Sequence, residues 1–397
     1  MLRRALALVG LLLACQKAPA PTDASVDRPV ARDIVDVTDA PEDVVDAPAA
    51  RPRRATITLG GDIVLSPRVI QNALSRRENG RLVALLGPIA PLMAFQTIAF
   101  ANLRTPLGAP ATLAAANGAG APVDLARDLA RVGFDVLQVA NDHTGDLGAR
   151  GLRDTLDALR GARVIPVGLS DGDDGPLAPA VVERDGVRVA FLGCTTRLLR
   201  DPGEARREHD PRVARLLTDP TELLGAITAA RSVADVVVVG VHWSRERGAG
   251  VTEAQRALAR QMIEAGADVI AGFGQPTLGP VARMTSPRGE AVVAWSLGTL
   301  ISQYGAGWHL GTDAARIAQS PWVFDPAFRD GVMLHVTMDL SEPPAVRVAR
   351  LSANAIWTSH LEDEIRAVPM RGVDERVSSE RMRAIGAALG SAVRLRP

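Results

Sequence analysis

The segment "QVANDHTGDLGARGL", residues 138–152, passes from an apolar run into a helix and places Asn141, Asp142, His143 and Asp146 at the junction. Upstream, "FDVLQVA" (134–140) reads as a strand, and downstream Leu152, Leu156 and Leu159 share one helical face. In open α/β sheets, reactive side chains collect where strands end and loops begin. The same pattern recurs along the chain. Asp62 follows "ITLGG", Asn102 and Arg104 follow "IAFA", and His242 follows "VVVVGV". Asp, Asn and His are ligands that a hard or borderline divalent ion accepts, and separate strand ends can surround an ion that no single segment could. These exits are therefore expected to share one pocket.

The surrounding elements agree with such a fold. Strand-like runs occur at 55–66, 163–169, 187–193, 235–241 and 267–272, with helical patterns at 123–133, near 219–231, and through Leu258, Met262 and Ala265. Later runs, "GEAVVAWSLG", "GVMLHVTMDL" and "AVRVARL", read as successive strands with few helices between them. Alternation followed by a strand-rich half predicts a layered α/β sandwich. Basic and acidic side chains balance at 45 each, which argues against a nucleic-acid partner.

The N-terminus, "MLRRALALVGLLLACQK", has Arg3 and Arg4 before an apolar segment from Ala5 to Ala14. As a helix that segment rises about 15 Å, roughly half the hydrocarbon core of a bilayer, so it reads as an export signal. Its Leu12-Leu13-Ala14-Cys15 ending resembles a bacterial lipobox, which implies lipidation of Cys15 and an exported, membrane-anchored lipoprotein of the cell envelope. From 16 to 54 the chain is rich in Ala, Pro and Asp, without period or aromatic residues, and is expected to form a disordered tether. The organisation expected is a signal peptide (1–15), this tether (16–54), one α/β domain (55–352) and a peripheral C-terminal segment (353–397) with a helix near 374–390. Cys194, on an apolar strand, is expected to be a buried small hydrophobe.

Taken in order, "GGDIVLS", "ANLRTPLG", "VANDHTGDLGARGLRDTL", "VGVHWSRE", "QMIEAGADVIAGFGQPTLGP" and "AWSLGTL" resemble the CapA family of poly-γ-glutamate capsule biosynthesis proteins over about residues 55–345. The resemblance implies a metallophosphatase-like (calcineurin-like) fold, an αββα sandwich. It implies Asp62, Asp142 and His242 as residual metal ligands, and His143 as the catalytic residue if the protein is active. Asn102, Arg104, Asn141, Asp146, Trp243, Glu246 and Thr299 are expected to line the same pocket. It also implies a cell-envelope context, with an anionic envelope polymer or capsule-assembly proteins as partners. In that setting Arg104, His143 and His242 are the groups that would hold an anion.

The sequence departs from the family pattern where metals would be held most tightly. The family's Glu is Arg104, its second Asn is Asp142, the Asn after Ser-Leu-Gly is Thr299, and "GFGQPTLGP" (272–280) offers no imidazole. A guanidinium about 4 Å from a dication, at an effective dielectric near 20, is repelled by about 8 kcal/mol. Arg104 is therefore expected to replace the ion and to pair with Asp62 and Asp142. No tightly bound cofactor is expected on this reading, and the role is binding or assembly. The alternative is a phosphoesterase-like hydrolase with one weakly held ion (Mn, Zn or Mg), for which three protein ligands and a water suffice.

Other polar residues have plainer readings. Asp146 could serve as a helix N-cap, Glu246 and Arg247 as a solvated pair, and Trp243 as packing beside the pocket. "LSDGDDGP" (169–176) lacks the glutamate a calcium loop needs at its twelfth position. His209, His335 and His360 fall in no ligand-like spacing, and His309 is the outside candidate to fold over the site.

Overall fold

The computed structural model describes residues 53–75, 81–93, 97–116, 119–172, 175–202, 211–214, 219–243, 250–341, 347–361 and 364–397. The expected lipidation site Cys15, most of the tether, and Glu246 lie outside the described residues. Strands β1 (Arg54–Ile63), β2 (Thr97–Leu103), β3 (Val136–Gln138) and β4 (Ile165–Val167) begin the larger sheet. The smaller sheet comprises β5 (Ala180–Arg184), β6 (Val187–Thr195), β7 (Val236–His242), β8 (Val269–Phe273), β9 (Val281–Ser286) and β10 (Gly289–Ala294). The chain then returns to the larger sheet with β11 (Thr299–Ile301), β12 (Asp330–Asp339), β13 (Arg347–Leu361), β14 (Glu364–Pro369) and β15 (Arg394–Arg396).

The larger sheet is ordered β14-β13-β12-β1-β2-β3-β4, with β11 added to β1 and β15 to β13; the smaller is ordered β9-β10-β8-β7-β6-β5. Parallel pairing joins β1 to β2, β2 to β3, and β6 to β7 to β8. Strand alternation explains why two sheets stack. Ile98 and Phe100 face the core shared by the two sheets, whereas Ala99 and Ala101 face the core beneath the helices. In β7, Val236 and Val238 point to the first core, while Val237, Val239 and Val241 pack under helices α4 (Thr221–Val233) and α5 (Glu253–Ala265). Both faces of β7 are thus dry, which is why "DVVVVGV" shows no polar alternation. Helices α1 (Pro67–Leu74), α2 (Leu125–Val132) and α3 (Gly148–Gly161) contribute buried residues to the core on the outer face of the larger sheet. The layers are αββα, as the family resemblance implied.

The domain does not end at 352. That position lies inside β13, which pairs with β12 from Asp330↔Trp357 to Asp339↔Arg347. Ala353, Ala355 and Trp357 are buried in the core between the sheets. Helix α6 (Glu375–Leu389), expected to be peripheral, sends Ile385 and Leu389 into the same core. Its Arg381 is buried and forms a two-pronged ion pair with buried Asp330, through Nε (3.2 Å) and Nη2. Non-local pairing, invisible in the local pattern, makes this segment integral.

Among the described residues no helix is long and apolar enough to cross a membrane.

Removing Arg381 strands the Asp330 carboxylate inside the protein. Arg381→Ala should cost about 3–5 kcal/mol by urea denaturation, whereas Arg376→Ala on the exposed first turn of α6 should change stability by less than about 0.5 kcal/mol.

Candidate functional site

The parallel strands of both sheets end on one face, and the polar exits meet there. A register shift in β1 between Leu59 and Asp62 brings Asp62 level with Asn102 on β2 and Thr299 on β11. Gly61 makes that close approach possible, since a Cβ there would stand 2.3 Å from the Gly298 carbonyl oxygen. Asp62 is fully buried, and its Oδ1 accepts a 2.9 Å hydrogen bond from Asn102 Nδ2. Asn141 Nδ2 in turn donates to the Leu103 carbonyl (2.9 Å), and Asn141 Oδ1 accepts the His143 N–H (3.0 Å). These two asparagines fix the strand ends and leave the carboxylates to the centre.

Arg104, 1 % exposed, fills that centre. Its Nε donates to Asp142 Oδ1 (2.9 Å), Nη2 to Asp142 Oδ2 (2.7 Å), and Nη1 to Asp62 Oδ2 (3.2 Å) and the Gly274 carbonyl (3.4 Å). The planar fork matches Asp142 bidentately and reaches Asp62 with the remaining nitrogen, a geometry a lysine could not reproduce. Burial by itself opposes the charge on Arg104, but Asp62 and Asp142 outweigh it and hold the guanidinium above its ordinary pKa. Burial would likewise raise Asp142; contacts with His242 and Arg104 overcome this and hold its carboxyl well below the usual range.

His242, also 1 % exposed, completes the buried cluster. Its Nε2 lies 3.2 Å from Asp142 Oδ1, within ionic reach but misaligned for a hydrogen bond, and its Nδ1 is 3.3 Å from Thr195 Oγ1. Thr195 was missed in the sequence; it stands opposite His242 in the β6–β7 register. Gly274 (φ +96°) tolerates this crowding because a Cβ would sit 2.7 Å from His242 Nε2.

Around the cluster the predicted residues divide. The Thr299 hydroxyl donates to the Pro276 carbonyl (3.2 Å), and Ser296 holds the carbonyls of Gln275 (3.1 Å) and Thr277 (2.8 Å), so the 274–279 loop is pinned. Trp243 is buried against Trp295, ring centroids 6.3 Å apart. Asp146 does not cap helix α3, whose N-cap position is Leu147; its Oδ2 instead lies 2.7 Å from His143 Nδ1. The His143 side chain is 34 % exposed, with Nε2 3.9 Å from Asp142 Oδ1, so it is the cluster's outlet to solvent. His309 is exposed and bonds within its own loop to the Leu310 carbonyl (3.1 Å). Tyr304 escaped the sequence reading, although it is the only tyrosine in the chain; its phenol contributes to the electrostatic environment of Arg104.

The donor set does not fit a divalent ion. Each carboxylate oxygen of Asp62 and Asp142 already accepts from Asn102 or Arg104, and a guanidinium stands between the two groups. Among the described residues, no group of three or more His, Cys, Asp or Glu is arranged to hold a metal.

Comparison with known proteins adds a family. The family model described as "Bacterial capsule synthesis protein PGA_cap" matches residues 56–304. The PGA biosynthesis protein CapA of Bacillus subtilis (strain 168) is 33% identical over 186 residues, 46% of this chain and 46% of that protein. The capsule biosynthesis protein CapA of Bacillus anthracis is 32% identical over 189 residues, 47% of this chain and 44% of that protein. The chain thus spans about half the length of the curated relatives it matches. Among solved structures, a novel phosphatase from Mycoplasma pneumoniae aligns at 13% identity with a TM-score of 0.41, over 82% of this chain and 99% of that one. A hypothetical protein from Thermus thermophilus aligns at 15% identity, also with a TM-score of 0.41, over 76% of this chain and 98% of that one.

The arrangement makes a stability prediction. Arg104→Met leaves two buried carboxylates without their cation and should cost about 3–5 kcal/mol in urea unfolding. Adding Asp62→Asn and Asp142→Asn to that variant should recover much of the loss, because the unpaired charges are then gone; a triple variant no more stable than Arg104→Met contradicts the assignment.

Proposed function

The chain belongs to the bacterial capsule synthesis protein family PGA_cap, and we propose that it acts in that family as a binding or assembly component at the cell envelope, with a degenerate metal site closed by Arg104. One observation carries the reading: the Arg104 guanidinium is buried between Asp62 and Asp142 and bonds to both. Two-metal phosphoester hydrolysis depends on cations that clamp the attacking and leaving oxygens. Here an internal side chain neutralises the carboxylates, and its nitrogens are turned toward protein oxygens.

The same geometry changes which groups meet a ligand. Arg104 and His242 are each 1 % exposed, so neither serves as the anion-binding group expected from the sequence. Contact with a partner falls to His143 and the residues at the rim. The lipobox ending at Cys15 supports a lipid anchor that holds the body at the membrane, and the names of the Bacillus relatives support a capsule polymer or its assembly proteins as partner.

A second reading, a hydrolase with one weakly held ion on Asp62, Asp142 and His242, is favoured by the His143–Asp146 pair. Contact of Nδ1 with the Asp146 carboxylate (2.7 Å) leaves Nε2 as the other ring nitrogen, the one available for proton transfer. That reading requires Arg104 to leave its buried contacts.

Purification in Mn²⁺ and Zn²⁺ separates the two. The binding role predicts far less than one ion per chain and no hydrolysis of bis(4-nitrophenyl) phosphate above background, with His143→Ala indistinguishable from wild type. Near-stoichiometric metal with His143-dependent hydrolysis would refute it. Arg104→Glu should also gain a thermal upshift on addition of Mn²⁺ that wild type lacks.

A further inference from the structure

A separate cleft of about 290 Å³ lies between the start of α5 and the 274–279 loop, lined by Val251, Gln255, Gln275, Thr277, Leu278 and Trp295 among others. Its lining shares no residue with the cluster of Asp62, Arg104, Asp142 and His242. The walls are held from behind. Ser296 Oγ takes the carbonyls of Gln275 and Thr277, the Gly279 N–H donates to the Ser296 carbonyl (3.0 Å), and the Trp295 N–H donates to the Pro280 carbonyl (3.0 Å). On the helix side, Gln255 Oε1 accepts the Thr252 N–H (2.8 Å) while Thr252 Oγ1 accepts the Gln255 N–H (3.2 Å). This capping box fixes the Gln255 amide. Trp295 is buried, with the Trp243 ring 6.3 Å away between centroids and the Arg256 guanidinium 6.0 Å from its own centroid. Three polar groups remain unused on this rigid frame. Gln255 Nε2, the Gln275 side-chain amide and the Thr277 hydroxyl have no hydrogen-bond partner among the described residues, and none is sealed from solvent.

We infer that this cleft is a binding site for one neutral pyranose ring. No charged side chain is among the residues that line it, so nothing there offsets the charge of a phosphate or a carboxylate. A wholly apolar ligand would strip water from the three polar groups and return no hydrogen bonds, at about 1–3 kcal/mol for each. The occupant must therefore both donate and accept at several neighbouring points. Hydroxyls do both, and adjacent hydroxyls on a sugar ring can meet an amide N–H, an amide carbonyl and a hydroxyl side by side. Val251, Leu278 and Trp295 supply an apolar wall for the C–H face of the same ring. The volume falls near the lower end of small-molecule sites, roughly 300–1,000 Å³, which suits a single ring and not an extended chain.

The full chain grown with 5-fluorotryptophan reports on its five tryptophans by ¹⁹F NMR, and Trp295→Phe identifies the resonance at position 295. Titration with methyl β-glucoside, methyl β-galactoside and N-acetylglucosamine should shift that resonance saturably for at least one of the three, with a Kd of about 1–10 mM. The open-chain hexitol sorbitol, inorganic phosphate and N-acetylglutamine amide should leave it in place. Gln275→Ala and Thr277→Val should each weaken binding of that sugar about 3- to 10-fold, the effect of one hydrogen bond. Both variants should melt as wild type does, because neither side chain makes an internal hydrogen bond. Absence of a saturable shift with all three sugars, an equal shift with sorbitol, phosphate or the amide, or unchanged affinity in both variants would overturn the inference. Metal content has no part in these outcomes, so the binding role proposed above is tested separately.

Discussion

Two carboxylates that arrive at one buried point from different strands cannot both stay ionised without a cation between them. In this protein the cation is covalently part of the chain. Arg104 takes both oxygens of Asp142 and one of Asp62, and the strand-end network of Asn102 and Asn141 holds the carboxylates in position to receive it. A buried ion pair of this kind is costly to break and contributes little over an apolar replacement, so its worth lies in the arrangement it enforces. That arrangement aligns the exits of β1, β2 and β3 with His242 from the second sheet.

Dynamics and function follow from that closure. The 274–279 loop, pinned by Ser296 and Thr299, is also tied to Arg104 through the Gly274 carbonyl. Arg104 and His242 are buried in that centre, and in the binding role proposed above the groups left to meet a partner are the partly exposed His143 and Asp146. Membership of a capsule synthesis family gives that surface its setting.

The sequence made much of this visible because the relevant signals were local. Strand exits ending in Asp62, Asn102, Asn141 and His242 could be read from apolar runs that stop at a polar residue, and the charge of Arg104 named its own partners. What escaped depended on pairing between distant segments. β13 continues past Leu351 through Ser352, Asn354 and Thr358, polar residues that look like a loop until Asn354 meets His335 and Thr358 meets Arg329 and Leu300. Asp146 carries the side chain an N-cap needs, and only the turn between residues 142 and 147 decides that it serves His143 instead. Tyr304 lies in a connection with no helical or strand period, so nothing local tied it to Arg104.

Crystals of the protein soaked in Mn²⁺, with diffraction recorded at an energy that excites manganese, examine the closed centre directly. The guanidinium of Arg104 should appear between Asp62 and Asp142, with no anomalous peak beside it. An anomalous peak at a bonding distance of about 2.2 Å from those carboxylates and His242, with Arg104 turned out toward solvent, would contradict the internal-cation assignment.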